Sequence, residues 1–205
     1  MDSGTTYPIP HLIPTLQHER IASISCGYFH SVFLTRDGRI FTVGKYERVT
    51  ILILKKTGWN AYGQLMNGST QTQRQIHLVK SLLGIPIHKV SCGWNHCVVV
   101  SRDGSCFVGG ESKHGQLGHI QEGQPSVSSS FARYHRDLIR NHEELDNNFV
   151  AWPHILQHFK NISIRDVACG RGHTIFLKGQ PEPSIGVFYS IERMAFLDLS
   201  IICSE

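Results

Sequence analysis

The sequence predicts an all-β fold assembled from repeated antiparallel hairpin modules, and three observations predict it. A Cys-Gly-x-x-His core occurs three times: Cys26 and Gly27 with His30, Cys92 and Gly93 with His96, Cys169 and Gly170 with His173. Each core leads into a short strand-forming run, Val32-Phe33-Leu34, Val98-Val99-Val100 and Ile175-Phe176-Leu177, rich in the β-branched and aromatic residues that suit a pleated surface. In the first two copies Asp37-Gly38 and Asp103-Gly104 follow, a dipeptide that tolerates the positive φ of a tight hairpin turn. Recurrence of this kind fixes architecture before local propensity does.

Taken in order, residues 1–20 carry Pro8, Pro10 and Pro14 and read as an extended connector, a reading shared by the similar segment Trp152–His158. Ile40–Gly44 and Phe107–Gly109 are the return strands after the Asp-Gly turns. Gly63-Gln64-Leu65 and Gly115-Gln116-Leu117 are a second tight turn in each copy. Cys26 and Cys92 stand 66 residues apart, Cys92 and Cys169 77 apart. Excising the 14 residues 45–58, which have no counterpart elsewhere, restores a unit of 52. That insertion is an ordinary loop addition or a short translated intron, since Gly44-Lys45-Tyr46-Glu47 matches what a splice donor would encode; transcript sequencing separates the two. A second insertion covers 125–149. Ser126–Ser130 is a low-complexity linker, and Phe131, Tyr134, Leu138, His142, Leu145 and Phe149 recur every three or four residues, the spacing of one amphipathic helix with Ser130 as its cap. The third copy replaces the Asp-Gly turn by the looser Leu177–Pro183, keeps a return strand at Gly186–Ser190, and passes into a divergent tail at 193–205. The expected organisation is a single unit with repeats at 8–70, 71–124 and 150–192.

Of the 205 residues, 40% are hydrophobic and 18% charged, the range of a globular chain. The net charge of +4, with pI near 8.8, is dispersed with no Lys/Arg tract, so neither a nucleic-acid arm nor a polybasic membrane patch is expected. No signal peptide and no apolar run of about 20 residues is present. A cytoplasmic or nuclear location is therefore expected, with the six cysteines reduced.

His30, His96 and His173 occupy one repeat position, which favours blade-packing rings hydrogen-bonded to backbone over a catalytic or metal cluster. Gly27, Gly93 and Gly170, with Gly63 and Gly115 in the second turn, read as sites of positive φ or close approach. Cys26, Cys92 and Cys169 read as packing residues. Cys92, His96 and Cys97 hint at a metal site, but no second Cys/His pair has zinc-ligand spacing. His135-Arg136-Asp137-Leu138 imitates a kinase catalytic loop without its accompanying motifs. No phosphate-binding loop is present. No cofactor, metal or catalytic residue is expected.

A unit of about 52 residues with Cys-Gly-x-x-His, Asp-Gly and Gly-Gln-Leu in phase resembles the regulator of chromosome condensation repeat family, over residues 8–118 and 152–180. The resemblance implies a β-propeller of four-stranded antiparallel blades, seven in the complete family fold. This length covers three to four, so the resemblance implies a partial propeller with the helical insertion near 131–149 on a loop, and with it a fragment, an inactive truncated product or an incorrect gene model. It implies a protein-binding module rather than an enzyme with bond chemistry of its own: a guanine-nucleotide exchange factor-like regulator of a small GTPase, or a non-catalytic scaffold. Val79–Trp94 resembles the branch of the family concerned with secretion. Phe131, Tyr134 and Leu138 are the candidate partner contacts, on the most distinctive loop.

Overall fold

The computed structural model describes residues 10, 12–44, 60–118, 149–159, 161–179 and 188–191. Each Cys-Gly-x-x-His core joins two antiparallel strands. In the first sheet, β1 (Ile21–Cys26), β2 (His30–Thr35), β3 (Ile40–Gly44) and β4 (Gln73–Leu78) lie in chain order. In the second, β5 (Ile87–Cys92), β6 (His96–Ser101), β7 (Cys106–Glu111) and β8 (Phe149–Ile155) do the same. The third holds β9 (Ile164–Cys169), β10 (Thr174–Lys178) and β11 (Phe188–Ile191). These are consecutive blades of a partial β-propeller. Their first strands β1, β5 and β9 neighbour one another along the inside of the arc.

Registers repeat from blade to blade. Cys26 faces Ser31, Cys92 faces Cys97 and Cys169 faces Thr174. The turn from β2 to β3 places Gly38 at φ 87°, and that from β6 to β7 places Gly104 at φ 85°, values an L side chain adopts only under strain. The aspartates before them hold the turns: Asp37 accepts from the Thr35 hydroxyl, Asp103 from the Ser101 hydroxyl and from the Ser105 N–H (3.0 Å).

The core lies between the blades. Strand alternation sends Val32 and Leu34 of β2 towards Cys97 and Val99 of β6 in one cluster. Val98 and Val100, on the other face of β6, meet Ile164 and Phe176 of the third blade in another. Every residue of β6 is buried as a result. On the other face of the first blade Phe33 and Phe41 bury against Leu16, while Ile24 is 58% exposed, although the equivalent Val90 packs into the cluster between blades. A single sheet cannot bury both its faces, so stacking of neighbours supplies the stability.

Two expectations change. Trp152–His158 is not a connector: Phe149–Ile155 is the outer strand of the second blade, pairing Phe107 with Ile155 and Glu111 with Phe149. Strand β7 is buried throughout, and its outward backbone groups need those partners. Phe149 therefore ends the helical spacing in a strand, while the rest of that spacing, including Phe131, Tyr134 and Leu138, lies outside the described residues, as do 45–58 and the tail 193–205. Within the proline-bearing segment 1–20, Pro14–Leu16 is a 3-10 turn. Equivalent turns occur at Lys80–Leu82 and Gln157–Phe159. Among the described residues no helix is long and apolar enough to cross a membrane.

Candidate functional site

Because the cores end β1, β5 and β9, aligning the blades also aligns the loops that follow them. The Gly-Gln-Leu turns, with Gly63 at φ 69° and Gly115 at φ 76°, lie at this same end, while the turns of Asp37-Gly38 and Asp103-Gly104 close the opposite end.

Close approach, not backbone sign, is what Gly27, Gly93 and Gly170 provide. A Cβ on Gly27 would stand 2.6 Å from the Gly93 carbonyl oxygen, and one on Gly93 2.5 Å from that of Gly170. At all three, the same Cβ would also run into the histidine ring of its own core, His30, His96 or His173. The rings are thus wedged beneath the glycines, and the glycines abut one another across the seams. A second clasp crosses each seam. The Cys92 N–H donates to Ser25 Oγ (2.9 Å), and the Cys169 N–H donates to Ser91 Oγ (2.9 Å).

His96 also reaches a side chain across the seam. Its Nε2 lies 3.1 Å from Thr174 Oγ1 of the next blade, whose single hydrogen goes to the Gln116 carbonyl (2.8 Å). His96 is therefore the donor, a neutral Nε2–H tautomer. Burial, then the neighbouring His30 and His173 rings, lower its pKa to about 4. Fully buried and bonded to a hydroxyl that is itself committed, it cannot serve as a general base towards substrate. Burial lifts the Cys169 thiol to about 12. Among the described residues no three His, Cys, Asp or Glu side chains are grouped to hold a metal ion.

What the loops display outward differs from copy to copy. The residues after the three glycines are Tyr28, Trp94 and Arg171. Tyr28 N–H donates to the Trp94 carbonyl (3.1 Å), and Trp94 N–H to that of Arg171 (3.3 Å). Backbone bonding between blades thus sets the three side chains in a row. The Tyr28 ring meets the Trp94 ring edge-on at 4.8 Å, and the Arg171 guanidinium sits 3.6 Å from the Trp94 ring centroid, inside cation–π range. Together with the six Cys and Gly residues that end the inner strands, they line an open cavity of about 420 Å³. Tyr28 is 55% exposed. Ordered aromatics beside a guanidinium are the composition of protein-binding hot spots. Sequence reading passed over these three because it valued positions that recur, and they are the positions that do not. Their signal was a bulky residue immediately after a glycine that sterics forbid to change.

Two repeat models described as Regulator of chromosome condensation (RCC1) repeat match the chain, one over residues 21–45 and 87–116, the other over 57–100 and 103–177, more than half of its length. The chain belongs to this family. Human Protein RCC2 is 29% identical over 171 residues, 83% of this chain and 30% of that protein. The rat Probable E3 ubiquitin-protein ligase HERC4 is 29% identical over 170 residues, 82% of this chain and 12% of the relative. In fold, Prp20p from Saccharomyces cerevisiae superposes with a TM-score of 0.56 at 21% identity, over 89% of this chain and 33% of that one. The chain thus spans a third or less of the length of these proteins.

Proposed function

We propose that this regulator of chromosome condensation repeat chain is a protein-binding module whose Tyr28–Trp94–Arg171 face engages a small GTPase in the manner of a guanine-nucleotide exchange factor. The observation that carries the reading is that row itself, three unlike side chains held in register by backbone bonds between blades. Prp20p, which shares the fold, is described with binding properties to Gsp1p and histones. Exchange requires no bond chemistry in the factor: it stabilises the nucleotide-free state of the partner over the loaded one. A cytoplasmic or nuclear setting goes with this role.

The test is release of a fluorescent guanine nucleotide from a panel of small GTPases in the presence of the full chain. The resemblance of Val79–Trp94 to the secretion branch is the reason to include GTPases of vesicle traffic. Acceleration with at least one is expected, and Trp94→Ala should weaken that partner's binding by about 2 kcal/mol, roughly thirtyfold. No acceleration by any GTPase would overturn the exchange reading. Binding without acceleration would leave the chain as a non-catalytic adaptor.

A further inference from the structure

We propose that Cys92 and Cys97 are a redox-active dithiol that a hydroperoxide entering from the axial cavity closes to a cross-strand disulfide. The two residues face each other in the β5–β6 register, with their sulfurs 3.7 Å apart. The Cys92 N–H points away from β6, towards Ser25 of the first blade. The pair therefore occupies a non-hydrogen-bonded position, where Cα atoms are about 4.5 Å apart, within the roughly 4.4–6.8 Å that a disulfide spans. Closure needs side-chain rotation and no movement of strands. The pair is particular to the second blade. Ser31 and Thr174 stand where Cys97 stands, and they present hydroxyls to Cys26 (3.6 Å) and Cys169 (4.0 Å).

The surroundings divide the roles. Cys92 lines the open cavity, whereas Cys97 lies behind it, 1% exposed. Burial opposes ionisation of Cys92, but the Cys97 hydrogen bond and then His30 outweigh it and hold the Cys92 thiol below the usual thiol range. The Cys97 thiol is raised, by Cys92 and then by burial. His30 is buried across the seam, 3% exposed, and interacts with the Cys92 thiol. In the repeat pattern it stands towards Cys97 as His96 stands towards Thr174. Cys92 is thus the attacking sulfur and Cys97 the resolving one.

In the first step the Cys92 thiolate attacks a peroxide oxygen: an S–O bond forms, the O–O bond breaks, and the leaving oxygen takes a proton to depart as water or alcohol. In the second, the Cys97 sulfur attacks Cys92, the S–S bond forms, the S–O bond breaks, and hydroxide leaves as water with the Cys97 proton. Two thiols are oxidised and one peroxide is reduced. The disulfide is open to reversal by thiol–disulfide exchange with glutathione. Closure also draws Cys92 Sγ from the Ser25 carbonyl, 3.6 Å away on the first blade, placing the change at a blade seam. The proposal holds whether or not the loop face binds a GTPase.

The experiment treats the full wild-type chain with hydrogen peroxide, blocks remaining thiols with N-ethylmaleimide, and maps the product by mass spectrometry before and after glutathione. The expected result is a Cys92–Cys97 linked peptide, 2 Da lighter than the dithiol, that glutathione removes. Cys97→Ser restores the hydroxyl found in the first blade and should instead leave a Cys92 sulfenic acid that dimedone traps. As an independent arm, wild type should bind phenylarsine oxide one to one, and Cys97→Ser should not. Alkylation of Cys92 and Cys97 in wild type that peroxide leaves unchanged, or a linkage formed between other cysteines in preference, would overturn the proposal.

Discussion

A glycine with ordinary φ is usually replaceable, and Gly93 is not. Its Cβ would meet the Gly170 carbonyl oxygen at 2.5 Å, whereas at Gly172, in the next loop, the nearest atom is 3.6 Å away. Gly93→Ala should cost about 1–3 kcal/mol through overpacking at the seam, while Gly172→Ala should stay within about 0.5 kcal/mol; urea midpoints of the two variants check this. His96 makes a second prediction at this scale. Its pKa is about 4 in the fold against 6.5 unperturbed, so below pH 6.5 the unfolded chain binds the proton more readily. Its contribution is fully present above 6.5 and is lost as pH falls towards 4, about 3 kcal/mol in all. Thermal melts should show His96→Gln to be less pH-dependent than wild type across that window. Deeper acid brings in Asp37 and Asp103, lowered first by the Thr35 and Ser101 hydroxyls respectively; stability they contribute above their unfolded values is lost as pH falls through the folded ones.

The strands are joined across seams by a clasp small enough to overlook. Ser25 and Ser91 each accept the N–H of the cysteine in the next blade, and Ser91→Ala would leave the Cys169 donor without that acceptor. A cost of about 1–3 kcal/mol is expected, and amide exchange should rise in β9 and β10 more than in β1 to β3. The third copy has Ala168 at the serine position, so this clasp does not repeat beyond it. The strands themselves were legible because their cause is local: the β-branched run Val98-Val99-Val100 and Asp-Gly before the return strand both write the hairpin into adjacent residues. Strand β8 was not legible. Trp152-Pro153 reads as a connector, since proline rarely enters a sheet; what makes it a strand is β7, some forty residues earlier, whose unpaired edge it completes. The site divides along the same line. Cys92, Gly93 and His96 were found by recurrence, while the row of Tyr28, Trp94 and Arg171 exists only because blades stack, and the Cys92–Cys97 pairing only because two strands share a register.

Across the whole molecule, the unit that repeats in sequence and the unit that folds are out of phase by one strand. The stretch 71–124 contributes its opening strand β4 to the first sheet and β5 to β7 to the second. Likewise, β8 completes the second sheet on the way to the third. The offset explains why Ile76-His77-Leu78-Val79 and Pro153-His154-Ile155-Leu156, so similar in sequence, both close the sheet behind them while leading, through a 3-10 turn, into the one ahead. Among the described residues neither the second nor the third repeat can loosen alone, because each holds the rim of its predecessor. A fluctuation that frees one of them peels its neighbour as well, and cooperativity along the arc is built into the path of the chain itself.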